Sequence, residues 1–164
     1  MQVVDLLQQN SSWPEVLDGD NVENDPVNMV DPWGLAPGDG YPTADAAALA
    51  AAADIRGMAN QGVEYGGWIY TQVPETWLYG GDEAYHTYTA PRTDNQKDRV
   101  SPGPRPCGGE ADYHSHPRIP GYKYNQFSDD DTNMNDELGI SGYLLTPDRG
   151  LLRYNPGQRP VRVR

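Results

Sequence analysis

The sequence predicts an α+β fold, in which a small mixed or antiparallel sheet is flanked by helices and joined by long loops rich in proline and glycine. An alanine-rich segment, residues 46–53, favours a helix because alanine has the highest helix propensity. Several later segments are rich in aromatic and β-branched residues, which is typical of strands. The 164 residues include 18 glycines and 15 prolines, which indicates extensive turns and loops. This length suits one domain with a short appendage.

The first predicted elements are a helix and a pair of strands. The helix is expected to begin at Thr43 or Asp45, either of which can cap its N-terminus, and to end near Met58. Residues 64–71 and 84–89 each contain several aromatic and β-branched residues and are expected to form two paired strands.

A third strand, residues 110–116, follows a long loop at 90–109 that contains four prolines. After another loop, Ser128 is expected to open a helix that runs to about Leu138. Ser128 and Asp131 fit a capping box, in which the cap residue and the residue three positions later satisfy each other's backbone N–H groups.

The end of the chain is expected to form a hairpin. Residues 142–146 and 151–154 are apolar enough for strands, and the proline and glycine between them favour a turn. The basic tail that follows, residues 155–164, is expected to be frayed.

Composition restricts the function. The formal net charge of −12 argues against nucleic-acid binding, which needs a basic surface, although a local basic patch stays compatible with it. Cys107 is the single cysteine, so the sequence excludes an internal disulfide and a cysteine-based metal site. We expect neither a secretory signal nor a membrane span, because no apolar run approaches the necessary length.

Two of the three histidines, His114 and His116, lie two residues apart on the third predicted strand. Side chains at i and i+2 of a strand point to the same face, so the two imidazoles can share one metal ion. Asp131 is a candidate third ligand, which would leave a fourth position for water, as in catalytic zinc sites. Glu64 is the best candidate for the base that a hydrolytic site needs.

Simpler interpretations of the same residues stay open. Ser128 and Asp131 can serve only as a helix cap, and Glu64 can be an exposed residue of its strand. Asp129 or Asp130 can replace Asp131 as the ligand. Each alternative keeps the fold but removes part of the site.

The order of these residues resembles the JAMM metalloproteases, also called JAB or MPN+. The pattern is an upstream glutamate (Glu64), an H-[ST]-H-P run (residues 114–117), a ten-residue spacer and an S-x-x-D run (residues 128–131). The resemblance implies a JAB/MPN architecture, related to that of cytidine deaminases. It also implies zinc bound by the two histidines and the last aspartate, Glu64 as general acid and base, and Ser128 as a stabiliser of the oxyanion. That family cleaves amide bonds, often isopeptide bonds.

An upstream segment carries a second resemblance. Residues 25–35 read D-P-V-N-M-V-D-P-W-G-L and resemble the closing segment of bacterial RHS-repeat proteins. The D-P-x-G-L motif comprises Asp31, Pro32, Gly34 and Leu35. In that family the core cleaves itself after the leucine with the help of the motif's aspartate, which implies Asp31 and a cut after Leu35 here. The alternative is an ordinary Asp-Pro turn.

The two resemblances together imply a domain organisation. Residues 1–35 would be the tail of an RHS core, 36–43 a linker and 44–164 a JAB-like toxin domain, and residues 46–154 also resemble DUF4329, a domain of unknown function at the ends of RHS proteins. The expected function is zinc-dependent hydrolysis of amide bonds by the toxin of a secreted effector in interbacterial competition. Such a toxin would be made in the bacterial cytoplasm and delivered into a target cell.

The expected partners are a protein or peptide substrate, a cognate immunity protein and an RHS shell upstream. The alternatives are a JAB-like binding module without catalysis, or a toxin of another chemistry, such as a deamidase or a nuclease.

Overall fold

The described residues form a six-stranded mixed sheet with one helix on each face. The computed structural model describes residues 36–58, 62–74 and 83–164. Its elements are α1 (Ala44–Met58), β1 (Gly66–Gln72), β2 (Tyr85–Tyr88), β3 (Gly109–Ser115), α2 (Asp129–Leu138), β4 (Ser141–Thr146), β5 (Gly150–Tyr154) and β6 (Val161–Arg162). The predicted α+β class with a small mixed sheet and flanking helices is confirmed.

The strand order is β2-β1-β3-β4-β5-β6. Strands β3 and β4 are parallel, and every other neighbouring pair is antiparallel. The predicted pairing of the first two strands and the predicted closing hairpin are both confirmed. Strand β3 therefore lies inside the sheet, hydrogen-bonded on both sides, which gives a rigid support for the residues at its end.

Alternate residues of β3 and β4 face opposite layers. Ala111 and Tyr113 belong to the core cluster that includes the buried alanines of α1. On the other face, Leu144 packs with Phe127 in a smaller cluster, and Asn135 of α2 is fully buried against that side. His114 shares this second face, because it alternates with Tyr113 along the strand.

Helix α1 begins as predicted, since the Thr43 Oγ1 accepts a hydrogen bond of 3.1 Å from the backbone N–H of Ala46. Its small alanine side chains bring the helix close to the sheet, where the tyrosines fill the remaining space. The hydroxyl of Tyr143 donates to Asp45 on α1 at 2.6 Å. Burial of a polar tyrosine tip is tolerated here because the hydroxyl keeps a hydrogen-bond partner.

Two predicted strand boundaries are wrong by one or two residues at the ends that matter for the site. Strand β1 begins at Gly66, not at Glu64, because the backbone N–H of Glu64 donates to the carbonyl of Gln96 in the long loop, at 2.9 Å. Strand β3 ends at Ser115, although the N–H of His116 still donates to the Leu145 carbonyl at 3.0 Å. Pro117 has no N–H and cannot extend the ladder.

The prediction of a frayed tail is also wrong. Strand β6 pairs with β5, and the buried Val163 donates its N–H to the carbonyl of Leu151 at 3.0 Å. Burial of the apolar Val163 side chain stabilises the packing of the tail. The basic composition of the tail does not indicate this contact.

The RHS-like motif, Asp31, Pro32, Gly34 and Leu35, lies outside the described residues, and so do residues 75–82, which connect β1 to β2 in the sequence. Across the part of the chain that the structure describes, no helix has both the length and the apolar character that a membrane crossing requires.

Candidate metal centre

The end of β3 brings two imidazoles together. His114 is in the strand and His116 follows it directly, with their ring centroids 5.2 Å apart. Both side chains are largely buried, with exposed fractions of 6% and 11%. The i, i+2 spacing therefore places both rings on the face that α2 covers.

The first turn of α2 supplies a carboxylate opposite these rings. The Oδ2 atom of Asp131 lies 3.5 Å from Nε2 of His114 and 3.6 Å from Nε2 of His116. The predicted capping box is confirmed, and it holds the carboxylate in place. The backbone N–H of Ser128 donates to the same Oδ2 at 2.7 Å, while the Ser128 Oγ accepts from the N–H of Asp131 at 3.2 Å.

These three residues can hold one metal ion. Their ligand atoms all lie within 4.8 Å of one another. Ligands about 2.0–2.1 Å from a tetrahedral zinc ion sit roughly 3.3 Å apart, close to the spacing between Asp131 and the two imidazoles. The Nε2 atom of His114 is buried and has no hydrogen-bond partner among the described residues. A buried polar atom without a partner is costly, and a cation at this position would satisfy it.

The alternative ligands fit less well. Asp129 and Asp130 are exposed on the outer side of the first turn of α2, and neither belongs to a group of metal-binding side chains within the described ranges. The capping role of Asp131 is confirmed, and it leaves the carboxylate placed as a candidate ligand.

A buried carboxylate lies behind His114. The Oδ2 atom of Asp112 is 3.2 Å from Nδ1 of His114, on the side of the ring that faces away from Asp131. The other oxygen, Oδ1, accepts a hydrogen bond of 2.5 Å from Nδ2 of Asn135. Metal-binding histidines commonly donate their second ring N–H to a carboxylate, which fixes the tautomer and the ring orientation.

Sequence reasoning missed both Asp112 and Asn135. The signal for Asp112 is its position two residues before His114, which places it on the same face of the strand. The signal for Asn135 is its position four residues after Asp131, which places it on the same face of α2. What joins them is the packing of α2 on the sheet, which no local pattern shows.

The electrostatics favour a cation between these groups. Burial alone would raise the pKa of Asp131, but the imidazole of His114 beside it holds that pKa far below its usual range. Burial alone would lower the pKa of His114, yet the carboxylates of Asp131 and Asp112 raise it well above the ordinary value. Burial and the neighbouring charge of His114 lower the pKa of His116. A metal ion can replace the proton that the two carboxylates draw to His114.

Glu64 lies at the edge of the same cluster. Its residue exposure is 5%, and its Oε1 atom is 3.6 Å from Nε2 of His116. Burial raises its pKa to about 7, against a smaller lowering effect of His114. The next residue anchors the segment to β3, because the N–H of Tyr65 donates to the Ser115 Oγ at 3.2 Å. The interpretation of Glu64 as an exposed strand residue is therefore wrong, and its carboxyl group faces the candidate ligands.

Two cavities adjoin the cluster, and His116 lines both. The first has a volume of about 300 Å³ and includes Glu64 and Ser128 in its wall. The rest of this wall combines aromatic and apolar side chains, Ile119, Tyr122, Tyr124 and Phe127, with four charged ones, Lys97, Asp98, Lys123 and Asp129. We call it the aromatic cavity. The second, of about 580 Å³, has two arginines in its wall, Arg56 and Arg118. We call it the arginine cavity.

Two other reactive side chains do not join the site. His86 pairs with Glu110 at 2.5 Å on strands β2 and β3 and is not among the candidate ligands. Cys107 is exposed in the loop before β3. Comparison of the chain with protein-family models, with curated proteins and with solved structures gives no match.

Proposed function

We propose that this protein is a zinc-dependent hydrolase of amide bonds, a peptidase or isopeptidase of the JAMM type with the JAB/MPN architecture. The observation that carries the proposal is the buried Glu64 carboxyl group, 3.6 Å from His116, beside three side chains that can hold one metal ion. A ligand group alone can be structural. A buried acid next to an incomplete ligand set is the arrangement that hydrolysis needs.

His114, His116 and Asp131 would hold the ion. Two imidazoles and one carboxylate suit zinc, and three protein ligands leave a position for substrate or water. When bound, zinc would act as a Lewis acid that polarises an amide carbonyl and makes water more acidic. Asp112 would keep His114 in the tautomer whose Nε2 faces the ion.

Glu64 would move the proton. Its carboxyl group is buried in the wall of the aromatic cavity, where it can accept a proton from water and return it to the departing amine. The anchoring of Tyr65 to Ser115 and of Glu64 to Gln96 holds the group in one place. Such positioning matters because proton transfer requires hydrogen-bond distance in the reacting complex.

Ser128 would stabilise the oxyanion of the attacked carbonyl. Its Oγ already accepts from the N–H of Asp131, and a hydroxyl also has one O–H to donate. Ser128 lines the aromatic cavity together with Glu64. The donor and the acid therefore border the same space, in which a scissile amide can sit.

The proposal is tested by incubating the zinc-loaded full chain with a bacterial lysate and comparing the proteome with that of a Glu64→Gln sample. We expect new peptide termini that depend on Glu64. Glu137→Gln, which changes an exposed glutamate at the end of α2, is the matched control and should behave as the unchanged protein. Glu64-dependent deamidation without new termini would instead indicate a deamidase. The absence of both new termini and deamidation would indicate a binding module without catalysis.

We also propose that the protein acts as the C-terminal toxin of an RHS-type effector, secreted for interbacterial competition and neutralised by an immunity protein in the producing cell. The support is the D-P-W-G-L segment at 31–35, which resembles the end of an RHS core. Expression in a bacterium without the immunity protein should arrest growth. Growth arrest that persists with Glu64→Gln would separate toxicity from hydrolysis.

A further inference from the structure

The arginine cavity lies against the metal centre but contains none of the residues assigned to the reaction except His116. Its wall includes Arg56 near the end of α1, Arg118 just after the H-S-H-P run, and residues of the turn between β4 and β5. Its volume of about 580 Å³ is within the range of small-ligand pockets. No step of the proposed hydrolysis uses these arginines.

Neighbouring side chains fix the position of the Arg118 guanidinium. Its guanidinium lies 5.7 Å from the centroid of the Tyr124 ring, and its Nη2 donates to Oδ1 of Asp148. Asn125 fixes that aspartate by two hydrogen bonds, of 2.7 Å to Oδ2 and 3.1 Å from the Asp148 N–H. A guanidinium has five N–H donors, so donors beyond the one used by Asp148 are available to a second acceptor.

The charge of this cavity differs from that of the chain. The whole protein has a formal net charge of −12, but among the described residues of the cavity wall there are two arginines and one aspartate, Asp148. A cavity with more cationic than anionic side chains favours an anionic ligand. The planar fork of a guanidinium matches a carboxylate in particular, since the two can form parallel hydrogen bonds.

We infer that the arginine cavity is a substrate subsite for a carboxylate next to the scissile amide. His116 lines both cavities, so an amide at the metal centre would place one flank of the substrate in the aromatic cavity and the other beside Arg56 and Arg118. The substrate class is thus a peptide with a carboxylate next to the scissile amide, on the side that faces Arg56 and Arg118. This inference rests on the proposed hydrolase function.

The carboxylate can belong to an acidic side chain or to a chain terminus. Three probes separate these sources: N-acetyl-aspartate α-amide for the side chain, N-acetylglycine for the terminus, and N-acetyl-asparagine amide as the neutral control. Binding to the ¹⁵N-labelled full chain is measured by NMR titration, with and without zinc. The zinc-free titration separates the arginine cavity from direct binding of a carboxylate to the metal.

At least one carboxylate probe should bind roughly tenfold or more tightly than the neutral control, with shifts in residues 145–150, and should do so without zinc. Arg118→Gln should weaken this binding about 10- to 100-fold, as expected for loss of a charge-assisted hydrogen bond. Arg159→Gln, which changes an exposed arginine outside both cavity walls, should leave it unchanged.

Two results would overturn the inference: equal binding of the charged and neutral probes, or binding that is unchanged in both Arg118→Gln and Arg56→Gln. Arg118 is 62% exposed at its side chain, so its replacement should not impair folding. A chain that binds the carboxylate but takes up no zinc would refute the hydrolase proposal and leave the carboxylate site standing. A chain that takes up zinc but does not bind the carboxylate probes would refute the carboxylate site and leave the hydrolase proposal standing.

Discussion

Replacing Asp112 with asparagine is expected to weaken zinc binding although Asp112 does not belong to the candidate ligand group. Its Oδ1 accepts from Asn135, so an asparagine that keeps this bond must place its amide nitrogen where Oδ2 now faces Nδ1 of His114. An N–H at that place favours the tautomer with the proton on Nε2, the atom that should bind the metal. In the variant, the hydrogen-bond network therefore favours a proton on Nε2 of His114, and this proton competes with the metal ion for that atom.

The size of the effect follows from the lost contact. Hydrogen bonds to charged groups contribute about 1.5–3 kcal/mol, and each 1.4 kcal/mol is a tenfold change in an equilibrium constant. The side chain of Asp112 is only 4% exposed, so water offers little compensation. Zinc affinity should thus fall about 10- to 100-fold, the range known for partners of metal-binding histidines.

Competition with a fluorescent zinc chelator measures this affinity. Asp130→Asn is the matched control, because Asp130 is exposed beside Asp131. This substitution removes one negative charge, as Asp112→Asn does. Thermal unfolding of the zinc-free proteins checks that the fold survives. A zinc affinity within about twofold of the unchanged protein, in a folded Asp112→Asn variant, would refute the role of Asp112 as the orienting partner of His114.

Three further predictions concern the neighbours of the site. In the zinc-free protein, burial raises the pKa of Glu64 from 4.5 to about 7, so the native state holds this proton more tightly than the unfolded state. The resulting stability is fully present below pH 4.5 and is lost as the pH rises towards about 7. The loss in the free energy of unfolding amounts to up to roughly 3 kcal/mol. Urea unfolding from about pH 4 to 8 should show this loss, and the Glu64→Gln variant should lack it. Gly142→Ala should lower the free energy of unfolding by about 1–3 kcal/mol in urea titrations, since its Cβ would lie 2.2 Å from Oδ1 of Asn135; an unchanged midpoint would show that α2 can shift freely. Asp131→Asn should reduce zinc affinity roughly 100-fold or more in the chelator assay because it removes a ligand, whereas Asp129→Asn should have little effect. The opposite ranking would assign the metal to Asp129.

Most of the features that the sequence predicted are determined by neighbours along the chain. Helix α1 follows from its run of alanines and the cap at Thr43, and the capping box of α2 follows from the spacing of Ser128 and Asp131. The shared face of His114 and His116 follows from strand periodicity. These features need no knowledge of the tertiary structure.

The features that were missed depend on contacts between distant segments. Strand β6 pairs with β5, and the adjacent Val163 continues this contact through its hydrogen bond to Leu151. The strand has only two residues, which are too few to give a recognisable pattern in the sequence. Asp112 and Asn135 meet across 23 positions, and Arg118 meets Asp148 across 30. Such pairs become visible only when the sheet order brings their elements together.

The zinc content of the purified full chain, measured by elemental analysis, tests the central claim most directly. The unchanged protein should hold about one zinc ion per chain, and His114→Ala should hold close to none. His86→Ala removes a histidine that pairs with Glu110 outside the ligand group, and it should keep the zinc content of the unchanged protein. A chain without zinc, or a His114→Ala variant that keeps it, would contradict the metal centre at the end of β3.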